Sequence, residues 1–169
     1  ACRRWKKRQV DTSVNKWNVC DKSVSRKSLD NGHTESVLAL CCLQDLGILL
    51  SGSMDKTIKV WRDDTCLHTL TAHEGGITAI CAHEQKSPNN RSPYVLYSAS
   101  YDGTVRKWQQ HDQTWSNEVL GEQGQGQHEL PLLALVLSTD GTTLYSGSQD
   151  GTIKVWDTHD CKCTNTLKW

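Results

Sequence analysis

A Ser, a His and an Asp recur together in each of three stretches of this chain, and that trio is the apparatus of a hydrolase. A catalytic trio works in one cleft, beside an oxyanion site and with a base of tuned pKa. Three copies at equivalent positions serve no such need, so repetition argues for a structural use of the same side chains. Cysteine is the second chemistry on offer. Eight Cys would suit a disulfide framework in a small secreted chain. Cys41, Cys42 and Cys81, however, lie in the apolar stretches SVLALCCL and ITAICA, where a free Cys behaves as a small hydrophobe. Cys66 and Cys161 each follow a Trp by five residues, which reads as one shared place in two repeats. Cys161 and Cys163, two apart, would share one face of a strand, a spacing unlike the usual zinc pairs. The expectation is a reduced, intracellular chain, cytoplasmic or nuclear, with no metal and no cofactor. A third chemistry is the basic run Arg3, Arg4, Trp5, Lys6, Lys7 and Arg8, which suits RNA or nuclear import but reads first as a solvated segment.

What must position these groups is a repeat. An Asp, five residues and a Trp recur four times, as Asp11 to Trp17, Asp55 to Trp61, Asp102 to Trp108 and Asp150 to Trp156. The last three blocks read DKTIKVW, DGTVRKW and DGTIKVW, and the first is a worn DTSVNKW. Successive Trp residues lie 44, 47 and 48 positions apart, and a period in the forties marks a repeat architecture. Within one unit, SVLALCCL reads as a buried strand, GILLSGS as a second, and Met54-Asp55-Lys56 as a tight turn. Asp-Gly replaces Asp-Lys in the later copies, which is a strong hairpin signal. TIKVW and CLHTL then alternate as third and fourth strands. Four short antiparallel strands per unit, repeated and without helical spacing, predict the blades of a β-propeller. The apolar runs are nearly continuous because neighbouring blades cover both faces.

The units fall at 33–72, at 73–127 with the insertion EQKSPNNRSPY (84–94), and at 128–169. Residues 1–32 hold a basic segment and the remnant strands of a degenerate blade. The insertion, with two of the three Pro, is expected as an exposed loop, and GEQGQGQ (121–127) as a flexible connection. The formal net charge of zero excludes an overall electrostatic footprint for nucleic acid or acidic membranes. Residues 1–30 are the exception, with nine Lys/Arg against three Asp. No apolar run approaches the length of a membrane span, and no signal-peptide pattern opens the chain.

SGSMDKTIKVW, SGSQDGTIKVWD and the Gly32-His33 pair resemble the WD-repeat family of β-propellers, over nearly the whole chain. The resemblance implies that a His, a Ser, the turn Asp and the Trp of each unit form a buried hydrogen-bond chain. Carried over, these are His33, Ser51, Asp55 and Trp61; His73, Ser98, Asp102 and Trp108; and His128, Ser146, Asp150 and Trp156. The partial first unit departs from the pattern, with Lys7 where the Ser should stand. The resemblance also implies a protein-binding rim around the central channel. Its positions here are Met54, Tyr101 and Gln149, then Ser36, Gly76 and Pro131, then Leu38, Thr78 and Leu133.

The expected function is therefore a non-enzymatic scaffold that docks proteins or peptides into a larger assembly. The alternative is the substrate-recruiting or regulatory part of an enzyme, a ubiquitin ligase or protein kinase, whose catalytic segment lies outside these residues. Family propellers usually close with seven blades, so about three full blades and part of a fourth suggest a piece of a longer polypeptide, the remaining blades coming from that same chain. Assembly of several copies is the less favoured route to a ring.

Overall fold

The computed structural model describes residues 32–85, 94–112, 114–121 and 127–168 in full, and 15–20 and 23–28 as strand backbone. The described residues form strands, turns and irregular connections, without a helix. Strands β1 (Asn15–Cys20) and β2 (Ser23–Ser28) pair as an isolated hairpin. Three four-stranded sheets follow in chain order. The first holds β3 (Val37–Leu43), β4 (Ile48–Ser53), β5 (Thr57–Arg62) and β6 (Thr65–Thr71). The second holds β7 (Ile77–Glu84), β8 (Tyr94–Ser100), β9 (Val105–His111) and β10 (Thr114–Val119). The third holds β11 (Leu132–Leu137), β12 (Thr143–Ser148), β13 (Thr152–Asp157) and β14 (Lys162–Lys168). Each sheet is an antiparallel meander, and β3, β7 and β11 stand in contact as the innermost strands. These are the blades of the predicted propeller.

The second strands show how side-chain alternation builds the core. All seven residues of β8 are buried, because the middle sheet is covered on both faces. Tyr94 and Leu96 join Ile48, Leu50, Ile58, Val60 and Trp108 between the first and middle sheets. Val95, Tyr97 and Ala99 join Leu132, Leu144 and Trp156 between the middle and third. Each fully buried aliphatic of this kind contributes about 1.5–3 kcal/mol relative to exposure. Among the described residues, the far face of the third sheet has no such cover. Tyr145 is 41 % exposed where its equivalent in the first sheet, Leu50, is 0 % exposed, and Val136 and Leu167 are likewise open.

The hairpin turns follow the sequence chemistry. Gly103 and Gly151 take φ of 81° and 78°, and Lys56 takes φ of 69° at the matching position of the first sheet. The left-handed region costs a non-glycine residue about 1–2 kcal/mol. Lys56→Gly is therefore expected to raise stability by about 1 kcal/mol, read as a higher thermal midpoint; a lower midpoint would contradict the strain.

The insertion is shorter than the sequence implied. Glu84 and Tyr94 face each other across β7 and β8, so both ends of 84–94 belong to strands. Tyr94 is buried and stacks at 5.9 Å from Trp115, because the apolar register of β8 continues back through it. The rest of the expected loop, 86–93, lies outside the described residues, as does most of 121–127.

Candidate functional site

Each sheet brings its His, Ser, Asp and Trp together. The indole Nε1–H of Trp61, Trp108 and Trp156 donates to Oγ of Ser51, Ser98 and Ser146 at 2.8 Å in all three sheets. The same Oγ lies 2.8 Å from Nε2 of His33, His73 and His128. On the other side of each ring, Nδ1 lies 2.9, 2.8 and 3.0 Å from Oδ2 of Asp55, Asp102 and Asp150. The donor order follows from the ends. Indole can only donate and carboxylate only accept, so Ser O–H donates to Nε2 and Nδ1–H donates to Asp.

Two further side chains per sheet belong to the network and were missed by the residue-by-residue carry-over. Thr57, Thr104 and Thr152 donate Oγ1–H to Oδ1 of the turn Asp at 2.6 Å, and sit 3.0–3.2 Å from Nδ1 of the His. Ser53, Ser100 and Ser148 accept the Asp backbone N–H at 3.1 Å. Both positions repeat unchanged, as Ser two residues before the Asp and Thr two after. The Asp also accepts the backbone N–H of Thr34, Glu74 or Glu129, which ties the turn to the loop entering the first strand.

Burial and hydrogen bonding oppose each other at these groups. The three imidazole side chains are 0 % exposed. Desolvation holds His33 and His128 below the ordinary 6.5, outweighing the upward pull of Asp55 and Asp150. Burial alone would raise the Asp carboxyls, but the Thr, backbone and His hydrogen bonds win and hold Asp55, Asp102 and Asp150 below the usual range. The fold thus favours neutral His33 and His128 beside ionised Asp.

The sign for stability follows. The contribution of His33 and His128 is fully present above the unfolded-state value near 6.5 and is lost as pH falls toward the folded value. The three Asp behave likewise at a lower window, below the ordinary 3.8. Stability should stay flat from about pH 7 to 8, then fall below about 6.5, by at most about 1.4 kcal/mol per pH unit for each His. A thermal midpoint that rises between pH 7 and 5 would contradict this. Asp150→Ala should cost about 1–3 kcal/mol, because His128 Nδ1–H loses its acceptor while Glu129 and Thr152 lose theirs. An unchanged unfolding midpoint would show that the network carries no load.

The rim lies directly above these networks. In each first strand one residue bulges out of register: Leu38 between Val37 and Ala39, Thr78 between Ile77 and Ala79, Leu133 between Leu132 and Ala134. The turn residues pair beside them, Met54, Tyr101 and Gln149 donating backbone N–H to Ser36, Gly76 and Pro131 carbonyls at 2.9–3.0 Å. Leu38, Met54, Tyr101, Leu130 and Leu133 are exposed. Thr78 is half-buried and spends its hydroxyl on the Ala99 carbonyl. Gly76 is buried: a Cβ there would stand 2.7 Å from Met54 Sδ and 3.3 Å from Tyr101 Cδ2, so the missing side chain makes room for both. At the next seam, a Cβ on Gly103 would stand 3.1 Å from the His128 carbonyl oxygen. The three sheets therefore present one continuous rim.

The cysteines need one correction. Cys163, and not Cys161, is the counterpart of Cys66: Cys66 pairs with Trp61 and Cys163 with Trp156 across the third and fourth strands. Their thiols donate to the carbonyls two residues on, His68 and Asn165, at 3.5 and 3.3 Å. The turn before β14 is two residues longer than that before β6, so counting from the Trp lands on the wrong Cys. Cys161 lies in that turn at φ 56°, outside the strand, and the thiol is pushed up by burial and by Glu118, with Lys107 opposing.

Lys107 stands where the other sheets have Val60 and Val155, facing the third sheet. Its side chain is 11 % exposed, and Nζ reaches the Thr158 carbonyl at 2.9 Å and Glu118 Oε1 at 3.4 Å. Asp11, Lys7, the side chain of Trp17 and the basic run from Arg3 to Arg8 lie outside the described residues or side chains.

The family model for the WD domain, G-beta repeat, matches residues 23–62, 64–109 and 123–157, well over half of the chain. The chain belongs to the WD40 repeat family. The first two matches each begin on the outer strand of one sheet and run through the first three strands of the next. A WD40 repeat is thus offset from a blade by one strand, which ties consecutive sheets together. An uncharacterized WD repeat-containing protein of Schizosaccharomyces pombe is 28 % identical over 130 residues, 75 % of this chain and 32 % of its own length. WD repeat-containing protein VIP3 of Arabidopsis thaliana is 34 % identical over 91 residues, 50 % of this chain and 26 % of its own. A human kinesin-like protein, KIF21A, is 30 % identical over 100 residues, 58 % of this chain and 5 % of its own. The chain spans a third or less of the length of these curated relatives. WD40 repeats form protein-interaction scaffolds, in general without catalysis of their own.

Proposed function

We propose that this chain docks proteins or peptides into a larger assembly through the rim formed by Leu38, Met54, Tyr101 and Leu133. The observation that carries it is four large apolar side chains exposed at repeated positions, beside networks in which the repeated Ser, His and turn Asp are bonded to one another. Aromatic residues and Met are enriched at the centre of protein interfaces. The Ser–His–Asp trios do not support a hydrolase, because each hydroxyl is fully buried between an indole and an imidazole.

The open face of the third sheet supports a second element of the same reading. Val136, Tyr145 and Leu167 are exposed at positions that the first sheet buries against its neighbour, so a further blade of a longer polypeptide suits that face. A role as the recruiting part of a longer enzyme is compatible with how small a share of its relatives the chain spans. Six free cysteines among the described residues, several of them packed in the cores, favour a reducing, intracellular compartment.

The test is quantitative affinity capture from cell extract with the native chain and a Met54→Ser/Tyr101→Ser variant of equal thermal midpoint. Proteins held by the native chain and lost by the variant support the rim; identical retention would rule it out. Light scattering addresses the open face: a clean dimer would overturn the single-polypeptide reading of the missing blades.

A further inference from the structure

The charge around the rim specifies what kind of partner segment it fits. Glu74 and Glu129 follow the network histidines directly, Glu35 follows one residue later, and all three are exposed on the loops entering the first strands. They stand one or two residues before Ser36, Gly76 and Pro131, the carbonyls that hold the rim turns. Just beneath lie Asp55, Asp102 and Asp150, with side chains 9, 13 and 12 % exposed.

Among the described residues, the cations near the first two sheets' part of the rim are few or engaged elsewhere. Lys56 is the single basic residue among the three rim turns, where Gly103 and Gly151 hold the matching places. Lys59, Arg106 and Lys154, on the third strands, point outward and donate to Thr69, Asn117 and Thr166 of the outermost strands. Lys154 and, at the end of β14, Lys168 line one cavity together with Glu129 and Asp150, so the carboxylates of the third sheet already have cations beside them. The rim therefore sets an apolar group of Leu38, Met54, Tyr101, Leu130 and Leu133 beside the exposed carboxylates of Glu35 and Glu74 on the first two sheets.

Resting on the docking role of the rim, we propose that the segment it takes is a basic peptide: one or two aliphatic or aromatic anchors flanked by Lys or Arg. The anchors would cover the apolar centre and the flanking cations would face Glu35 and Glu74. Exposed charges of this kind act over about 8–10 Å at physiological salt, so they tune which apolar segment binds more than they supply the whole affinity.

The experiment is a selection of phage-displayed random dodecapeptides on the full chain, followed by anisotropy titrations of the recovered peptides. The expected peptides are enriched in Lys and Arg around an apolar residue. Their affinity should fall about tenfold when those cations become Gln, and about fivefold or more with a Glu35→Gln/Glu74→Gln variant of unchanged thermal midpoint. Tyr101→Ala should weaken them too. Peptides that depend on Tyr101 but are neutral or acidic would overturn the basic-partner inference while leaving the rim in place. Peptides indifferent to Tyr101→Ala would overturn the rim itself.

Discussion

Trp108→Ala should lower the unfolding free energy by about 3–5 kcal/mol, the largest single effect expected in this chain. Trp108 is buried between the first and middle sheets, packed with Ile58, Val60 and Leu96, and its ring centroid lies 6.3 Å from that of His73. Truncation empties a space at the seam of two blades, where both backbones are fixed by their own ladders and little can collapse into it. It also removes the donor to Ser98. Trp108→Phe shifts the balance between the two losses, because it keeps much of the apolar body while discarding the N–H and part of the ring. That variant should cost about 1–3 kcal/mol. Urea unfolding reads both; a loss below about 1 kcal/mol for the Ala variant would mean the seam is not packed as described.

The second large effect is Ser98→Ala, which removes one atom and leaves two buried groups without partners. Trp108 Nε1–H and His73 Nε2 both rely on Ser98 Oγ at 2.8 Å, and nothing wet adjoins them. At about 1–3 kcal/mol for each orphaned group, the loss should reach about 2–5 kcal/mol. A double-mutant cycle with Trp108→Phe is sharper than the single value. The two substitutions break the same bond, so their costs should fall short of additive by about 1 kcal/mol or more. Strict additivity would show that the indole and the hydroxyl act independently.

Most of the scaffold was legible because three copies of one pattern discipline each other. The strand runs around DKTIKVW, DGTVRKW and DGTIKVW, the turn Asp and the Trp all repeat at fixed offsets, and each offset corresponds to one physical need. Thr57, Thr104 and Thr152 were equally visible as repeated residues, yet a single polar residue at the head of a strand carries no mark of where its hydroxyl points. Tyr94 was hidden by the Pro before it, which suggested loop, while burial against Trp115 decides for strand. The Cys66 and Cys161 equivalence failed for a simple reason: counting along the chain cannot see that one turn is two residues longer. Lys107 was legible only as an oddity at a Val position. Its place in the seam depends on the Thr158 carbonyl of the following sheet, which alternation within one strand cannot report. The rim positions followed from the family resemblance; the way Gly76 seats Met54 and Tyr101 side by side did not.

The claim beneath all of this is that three of the seven Trp residues sit at the head of identical relays ending on a turn carboxylate. Nitrogen-15 NMR of the whole chain tests it directly, through indole N–H exchange and the tautomers of the ring nitrogens. The account predicts slow exchange at the indoles of Trp61, Trp108 and Trp156, together with His33, His73 and His128 protonated at Nδ1 and bare at Nε2. Those three indoles exchanging as fast as exposed ones, or the imidazoles carrying the proton on Nε2, would contradict it.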